Sequence, residues 1–161
     1  MNVDYDMLVR QVEALVAGEP DFLANAANFA SFVYHELPDL NWAGFYFASP
    51  SGELVLGPFN GRPACTRLPS GRGVCGAAFN QRAALVVDDV NAFADHIVCD
   101  SASASEIVVP LHAGDITYGV FDIDSPSLAR FSAADKSGIE RLVEAFSRAV
   151  QPPEALRAGI A

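Results

Sequence analysis

Positive charge is scarce in this chain. Ten Lys and Arg stand against twenty Asp and Glu in 161 residues, a formal net charge of −10. That balance argues against nucleic acid and anionic membrane surfaces as partners and leaves small ligands open. No apolar run approaches the length of a membrane span. The opening residues, Met1-Asn-Val-Asp-Tyr-Asp, lack the basic region and apolar stretch of a signal peptide, so the expected location is the cytoplasm. Cysteine is sparse as well, with Cys65, Cys75 and Cys99 the three present. They form no CxxC and have no second ligand at zinc spacing, which argues against a structural metal. An odd count in a reducing compartment also argues against a stable disulfide framework. Inert thiols or a transient redox set remain. Internal repeats and interdomain linkers are lacking too, so residues 1–161 read as one domain.

What is present is a core. Half of the residues are hydrophobic, and a chain of this length buries about two thirds of its unfolded surface. The stretch around which the rest is organised is Asp95-His-Ile-Val-Cys99-Asp-Ser-Ala-Ser-Ala-Ser-Glu106. It gathers a thiol, an imidazole, small hydroxyl residues and a carboxylate, then returns to the core through Ile107 to Leu111. Asp100 or Ser101 is placed to cap a helical turn, and a helix N-terminus beside a thiol favours the reactive thiolate. A small buried hydrophobe is the plainer reading of Cys99.

Elements follow from periodicity. Leu8, Val12, Leu15 and Val16 repeat at helical spacing over Asp4 to Ala17, and Gly18 with Pro20 ends the run. A second helix starts near Asp21 and ends at Pro38. Trp42 to Ala48 and Glu53 to Gly57 read as an antiparallel strand pair around Ser49-Pro-Ser-Gly52. Phe59 to Gly73 is a long loop holding Cys65, Arg62, Arg67 and Arg72, where a guanidinium near Cys65 or Cys75 would favour thiolate. A short helix over Gly73 to Gln81 puts Cys75 in its first turn. Leu85 to Val87 is a strand, and Asp88 to Val98 a second long loop. Ser105 to Leu111 and Ile116 to Asp124 form another strand pair, on which Asp122 and Asp124 share one face and Phe121 and Ile123 the other. Ser132-Ala-Ala-Asp135 resembles a capping box and opens a helix that runs to Val150. Pro152-Pro153 ends it, and a loose tail is expected after about residue 152. Helices at both ends of a mostly antiparallel sheet make an α+β fold. Their order is that of a GAF domain, with terminal helices on one face and ligand-covering loops on the other.

The segments Asn41-Trp-Ala-Gly-Phe-Tyr46, Gly57-Pro-Phe-Asn-Gly-Arg-Pro-Ala-Cys65, Gly71-Arg-Gly-Val-Cys75-Gly and His96-Ile-Val-Cys99-Asp-Ser share one resemblance. So do Ser105-Glu-Ile-Val-Val-Pro-Leu111 and Gly119-Val-Phe-Asp122-Ile-Asp124-Ser-Pro126. Together they resemble the free methionine-(R)-sulfoxide reductases, stand-alone GAF-fold enzymes. The resemblance implies that Cys99 is the nucleophile on the sulfoxide sulfur. It makes Cys65 the resolving thiol, with Cys75 as an alternative or auxiliary partner. Trp42 and Tyr46 would wall the methyl-sulfur end of the substrate. Glu106, Asp122 and Asp124 would form an acidic cluster that binds the ammonium and assists at the sulfoxide. The R preference and a homodimer come from the resemblance alone.

The residue types suit that chemistry. Attack on a sulfoxide needs the departing oxygen protonated, and clustered buried carboxyls have raised pKa values that let one hold a proton. The product on Cys99 is a sulfenic acid, which a second thiol condenses to a disulfide. An external dithiol such as thioredoxin would reduce it. No metal or organic cofactor is required. Two other classes are a ligand-sensing module and a cysteine hydrolase pairing Cys99 with His96.

Overall fold

The computed structural model describes residues 3–158. In chain order its elements are α1 (Tyr5–Val16), α2 (Phe22–Glu36), β1 (Trp42–Ala48), β2 (Leu54–Gly61), β3 (Arg67–Leu68), α3 (Gly73–Gln81), β4 (Leu85–Val87), β5 (Ser105–Ala113), β6 (Ile116–Ser125), α4 (Ala133–Ala149) and α5 (Glu154–Ala158).

Local chemistry sets the helix ends. Asp4 accepts the Met7 N–H to cap α1, and Asp21 accepts the Ala24 N–H to cap α2. Leu37, held extended ahead of Pro38, stops α2. Ser132 and Asp135 complete a reciprocal capping box at α4. In α1, Leu8, Val12 and Val16 recur every fourth residue and bury as one stripe.

The strands make one antiparallel sheet in the order β3-β2-β1-β6-β5-β4. Because side chains alternate along a strand, each central strand feeds two cores. Ala43, Phe45, Ile107, Val109, Phe121 and Ile123 face α1, α2 and α4. There Phe29, Phe45, Phe121 and Phe146 pack with ring centroids 4.7–5.9 Å apart, the tilted and edge-on contacts aromatic quadrupoles favour. Trp42, Tyr46, Val108 and Val120 face the other way, toward Val74, Cys75 and Ala78 of α3. The fold is thus the α+β, GAF-like arrangement expected, with terminal helices on one face and α3 and the long loops on the other.

Four local features differ from the sequence reading. β2 runs on to Gly61, and β3 pairs with it through Leu54↔Leu68 and Val55↔Arg67, so the long loop is partly sheet. Within the second loop Val90–Ala92 forms a 3₁₀ turn, whose N-cap Asp89 accepts the Asn91 N–H. No helix starts at Asp100 or Ser101; instead the Asp100 carboxylate accepts the Ala102 N–H in a tight turn. Cys99 therefore gains nothing from a helix N-terminus. Finally, α5 forms where a loose tail was expected, with Leu156 packed against the helix-side core. Among the described residues no helix is long and apolar enough to cross a membrane.

Candidate active site

Strand register builds the floor of the site. Trp42 lies opposite Asp124 and Gly44 opposite Asp122 across β1 and β6, while Glu106 lies opposite Asp124 across β5 and β6. Side chains in register on neighbouring strands point to one face, so an indole and three carboxyls converge beneath the loops. Glu106 and Asp122 are each 6% exposed, so neither is a solvated strand-end acid. They sit in the sheet-facing wall of a pocket of about 560 Å³, its open mouth included.

The aromatic wall also anchors the loop above it. Trp42 stacks between Tyr46 and Phe59, with ring centroids at 5.8 and 5.4 Å. Gly44 makes this possible, because a Cβ there would lie 2.6 Å from the indole and 2.3 Å from the Phe59 Cβ. The Trp42 Nε1–H donates to the Arg62 carbonyl at 3.1 Å, and the Tyr46 hydroxyl donates to the Cys65 carbonyl at 2.8 Å. Two buried side chains thereby hold the segment that carries Cys65 over the carboxyls.

Cys65 and Cys99 are joined in a disulfide, with Cα atoms 5.3 Å apart. Cys75 is free and buried in the first turn of α3, its Sγ 4.0 Å from Glu106 Oε1. All eight residues singled out in the sequence, Trp42, Tyr46, Cys65, Cys75, Cys99, Glu106, Asp122 and Asp124, come together here. Asn41, Asp100 and Ser103 belong to the same constellation. The Asn41 amide donates to the Ser103 hydroxyl at 3.0 Å and to the Asp100 carboxylate at 3.3 Å, tying the turn after Cys99 to the start of β1. The signal for Asn41 was only its position before Trp42. Ser103 was one of several equivalent small hydroxyl residues.

Electrostatics set the protonation states. Burial pushes the Glu106, Asp122 and Asp124 carboxyls well above the ordinary carboxylate range, and their mutual repulsion adds to the effect. Burial and the same acids push the Cys75 thiol up as well. This reverses the expectation that a guanidinium would favour thiolate at Cys75. Arg72 is engaged elsewhere: its guanidinium donates to both carboxylate oxygens of Asp95, linking the two long loops. A mostly exposed pair of that kind contributes little to stability.

His96 does not serve Cys99 as a hydrolase base. The Cys99 sulfur is bonded to Cys65, and His96 Nε2 stands 3.9 Å from Glu106 Oε2. Burial lowers the imidazole pKa, so His96 is neutral near neutral pH and adds no firm positive charge to the acids. The pocket thus offers a redox-capable dithiol above acids able to hold protons, with an apolar aromatic side.

Comparison with known proteins follows the same lines. The GAF domain family matches residues 13–150. The free methionine-R-sulfoxide reductase of Escherichia coli is 48% identical over 139 residues, which cover 86% of this chain and 84% of that protein. The free methionine-R-sulfoxide reductase of Saccharomyces cerevisiae is 38% identical over 150 residues, covering 89% and 83%. The X-ray structure of free methionine-R-sulfoxide reductase from Neisseria meningitidis in complex with its substrate superposes with a TM-score of 0.87 at 43% identity, covering 97% of this chain and 92% of that one.

Proposed function

The chain belongs to the GAF-domain family and, within it, to the free methionine-R-sulfoxide reductases, and on that premise we propose a thiol-based cycle for its reduction of free L-methionine-(R)-sulfoxide. The Cys99 thiolate attacks the sulfoxide sulfur while a carboxyl of the floor, Glu106, protonates the oxygen. The hydroxyl passes from the substrate sulfur to the Cys99 sulfur, so the substrate S–O bond and the transient S–S link both break, methionine leaves, and Cys99 is left as a sulfenic acid. The Cys65 thiol then attacks the Cys99 sulfur. Water departs with the oxygen, and the Cys65–Cys99 disulfide forms. Two electrons from an external dithiol of the thioredoxin kind return both cysteines to thiols. Trp42 and Tyr46 form the apolar wall for the S-methyl end, and Asp122 and Asp124 with Glu106 receive the substrate's α-ammonium. The single observation that carries this reading is the disulfide between Cys65 and Cys99 over a floor of buried carboxyls. Residues 1–161 act as one catalytic domain in this reading, without metal or organic cofactor, as a homodimer in the cytoplasm.

The decisive experiment supplies purified protein with free methionine-R-sulfoxide, thioredoxin, its reductase and NADPH. NADPH consumption in proportion to methionine formed is expected. Methionine production that consumes no thiol equivalents would overturn the cycle.

Resolution is tested by Cys65→Ser. Pre-reduced variant should release about one methionine per active site, because the sulfenic acid forms before it is resolved. Steady turnover with thioredoxin should then collapse. Cys75→Ser should lose less, since its thiol is buried and held protonated while Cys65 already bonds Cys99. Equal losses would point to a relay through both thiols.

The acid is tested by Glu106→Gln, which keeps shape but cannot give up a proton. The first chemical step should slow by roughly 10²–10⁴-fold. The pH dependence has a definite sign. A general acid works only while protonated, so the wild-type step should lose rate as pH rises through the raised carboxyl pKa. Glu106→Gln should lose that alkaline decline. A wild-type single-turnover profile in the variant removes Glu106 from the role.

A further inference from the structure

We propose that Cys75, Glu106 and Asp122 together bind one thiophilic divalent cation of the zinc type, and that the bound ion inhibits the enzyme by taking the place of the substrate's ammonium. The inhibitory half rests on the functional reading above; the binding half does not.

One sulfur and two carboxylate oxygens from these residues lie within 4.8 Å of one another. Ligands around tetrahedral zinc, at about 2.0–2.3 Å from the ion, are separated from each other by roughly 3.3–3.8 Å. Shifts of about an ångström, within the reach of side-chain rotation, bring the three donors onto a shared ion. They come from different elements, α3, β5 and β6, so the ion would tie the helix to the sheet beneath it. The donor set selects the metal. A thiolate with two carboxylates suits zinc, cadmium or cobalt(II), whereas magnesium and calcium favour oxygen alone. Three protein ligands leave a fourth position, toward His96, whose Nε2 is 3.9 Å from Glu106.

A second observation points to a ligand. Asp122 is 6% exposed, lines the pocket, and has one carboxyl oxygen, Oδ1, that is buried with no hydrogen-bond partner outside the cluster. Buried polar oxygens are ordinarily satisfied, and an unsatisfied one beside a second carboxyl and a thiol is a place for a cation. Substrate ammonium and metal ion would answer the same need. The thiol discriminates between them, since an ammonium has no use for it as a ligand.

Cobalt(II) is the probe, because its thiolate complexes absorb in the near ultraviolet. In the oxidised protein Cys65 and Cys99 are bonded to each other, so Cys75 supplies the free sulfur. The expected result is a thiolate-to-cobalt band that saturates at one ion per chain and is displaced by zinc. Cys75→Ser, or Cys75→Ala, should abolish the band, and Asp122→Asn should weaken binding at least tenfold. A missing band in the wild type, or one that survives both Cys75 variants, overturns the site. The inhibitory half is read in the Cys65→Ser/Cys99→Ser double variant, which cannot turn over. Free methionine sulfoxide should bleach its cobalt band, and the N-acetylated compound, which lacks the ammonium, should not. A band unmoved by the free amino acid overturns the claim of a shared position. Failure of the reductase reading appears separately, as absence of thiol-dependent methionine formation, and leaves the cobalt titration unaffected.

Discussion

Methionine formation should vanish in Cys99→Ser, even in one turnover of fully reduced protein. The first bond made decides the outcome. A sulfoxide sulfur is a weak electrophile, and a serine hydroxyl near neutral pH is a far poorer nucleophile than a thiolate. Nothing else in the pocket replaces it. Cys65 sits on the loop that Tyr46 holds through its carbonyl, and Cys75 is buried with its thiol pushed toward the protonated form. The measurement is methionine released per active site from pre-reduced variant on mixing with substrate. Release at near wild-type rate would show that the attacking thiol is elsewhere. Cys65→Ser is the matched control, because it keeps the first step and loses only the cycle.

Blocking the substrate's ammonium should cost nearly as much. N-acetyl-methionine sulfoxide keeps the reacting sulfur, the methyl group and the carboxylate but has no positive charge. Three carboxyls, Glu106, Asp122 and Asp124, are more than a thioether-sized side chain needs, and they lie together on the pocket floor. A buried charge that loses its partner costs about 3–5 kcal/mol, which at ~1.4 kcal/mol per decade lowers kcat/KM by roughly 10²–10⁴-fold. The acetyl group must also enter beneath the loop segment tied down at Arg62 and Cys65. Comparing kcat/KM for the two compounds decides the matter. Equal values would mean that the acids serve some other purpose and that peptides have access.

How much of this was legible in the chain depends on the range of the interaction. Caps are local, and Asp4, Asp21, Ser132 and Asp135 declare the starts of three helices within three residues of each. Alternation is local too, so Phe121-Asp122-Ile123-Asp124 assigns its aromatics to one face and its acids to the other. The depth of those acids is not local. It depends on β1 and β5 flanking β6 and on α3 lying above, and solvation at a strand end is an equally good reading of the letters alone. The same limit explains the error over Arg72. Its charge looked available to a thiol three residues on, but Asp95, 23 positions away, claims it. Asp100 shows the opposite failure, a local signal with two outcomes: its carboxylate caps a helix or closes a turn with equal ease, and the Cys99–Cys65 bond together with Asn41 selects the turn.

The disulfide joins residues 34 positions apart, Cys65 and Cys99, and the segment between them contains both edge strands, β3 and β4, and α3. Closing a loop of that size removes chain entropy from the unfolded state worth about 4 kcal/mol in the simplest treatment. In the proposed cycle the bond that records a completed turnover is therefore also a staple across the loops that cover the acids. In that cycle, opening it would ready the protein for substrate and at the same stroke lower its resistance to heat and proteases. Each passage through such a cycle would loosen and re-tighten the region above the acids, and scarcity of reductant would leave the molecules stored in their hardier form.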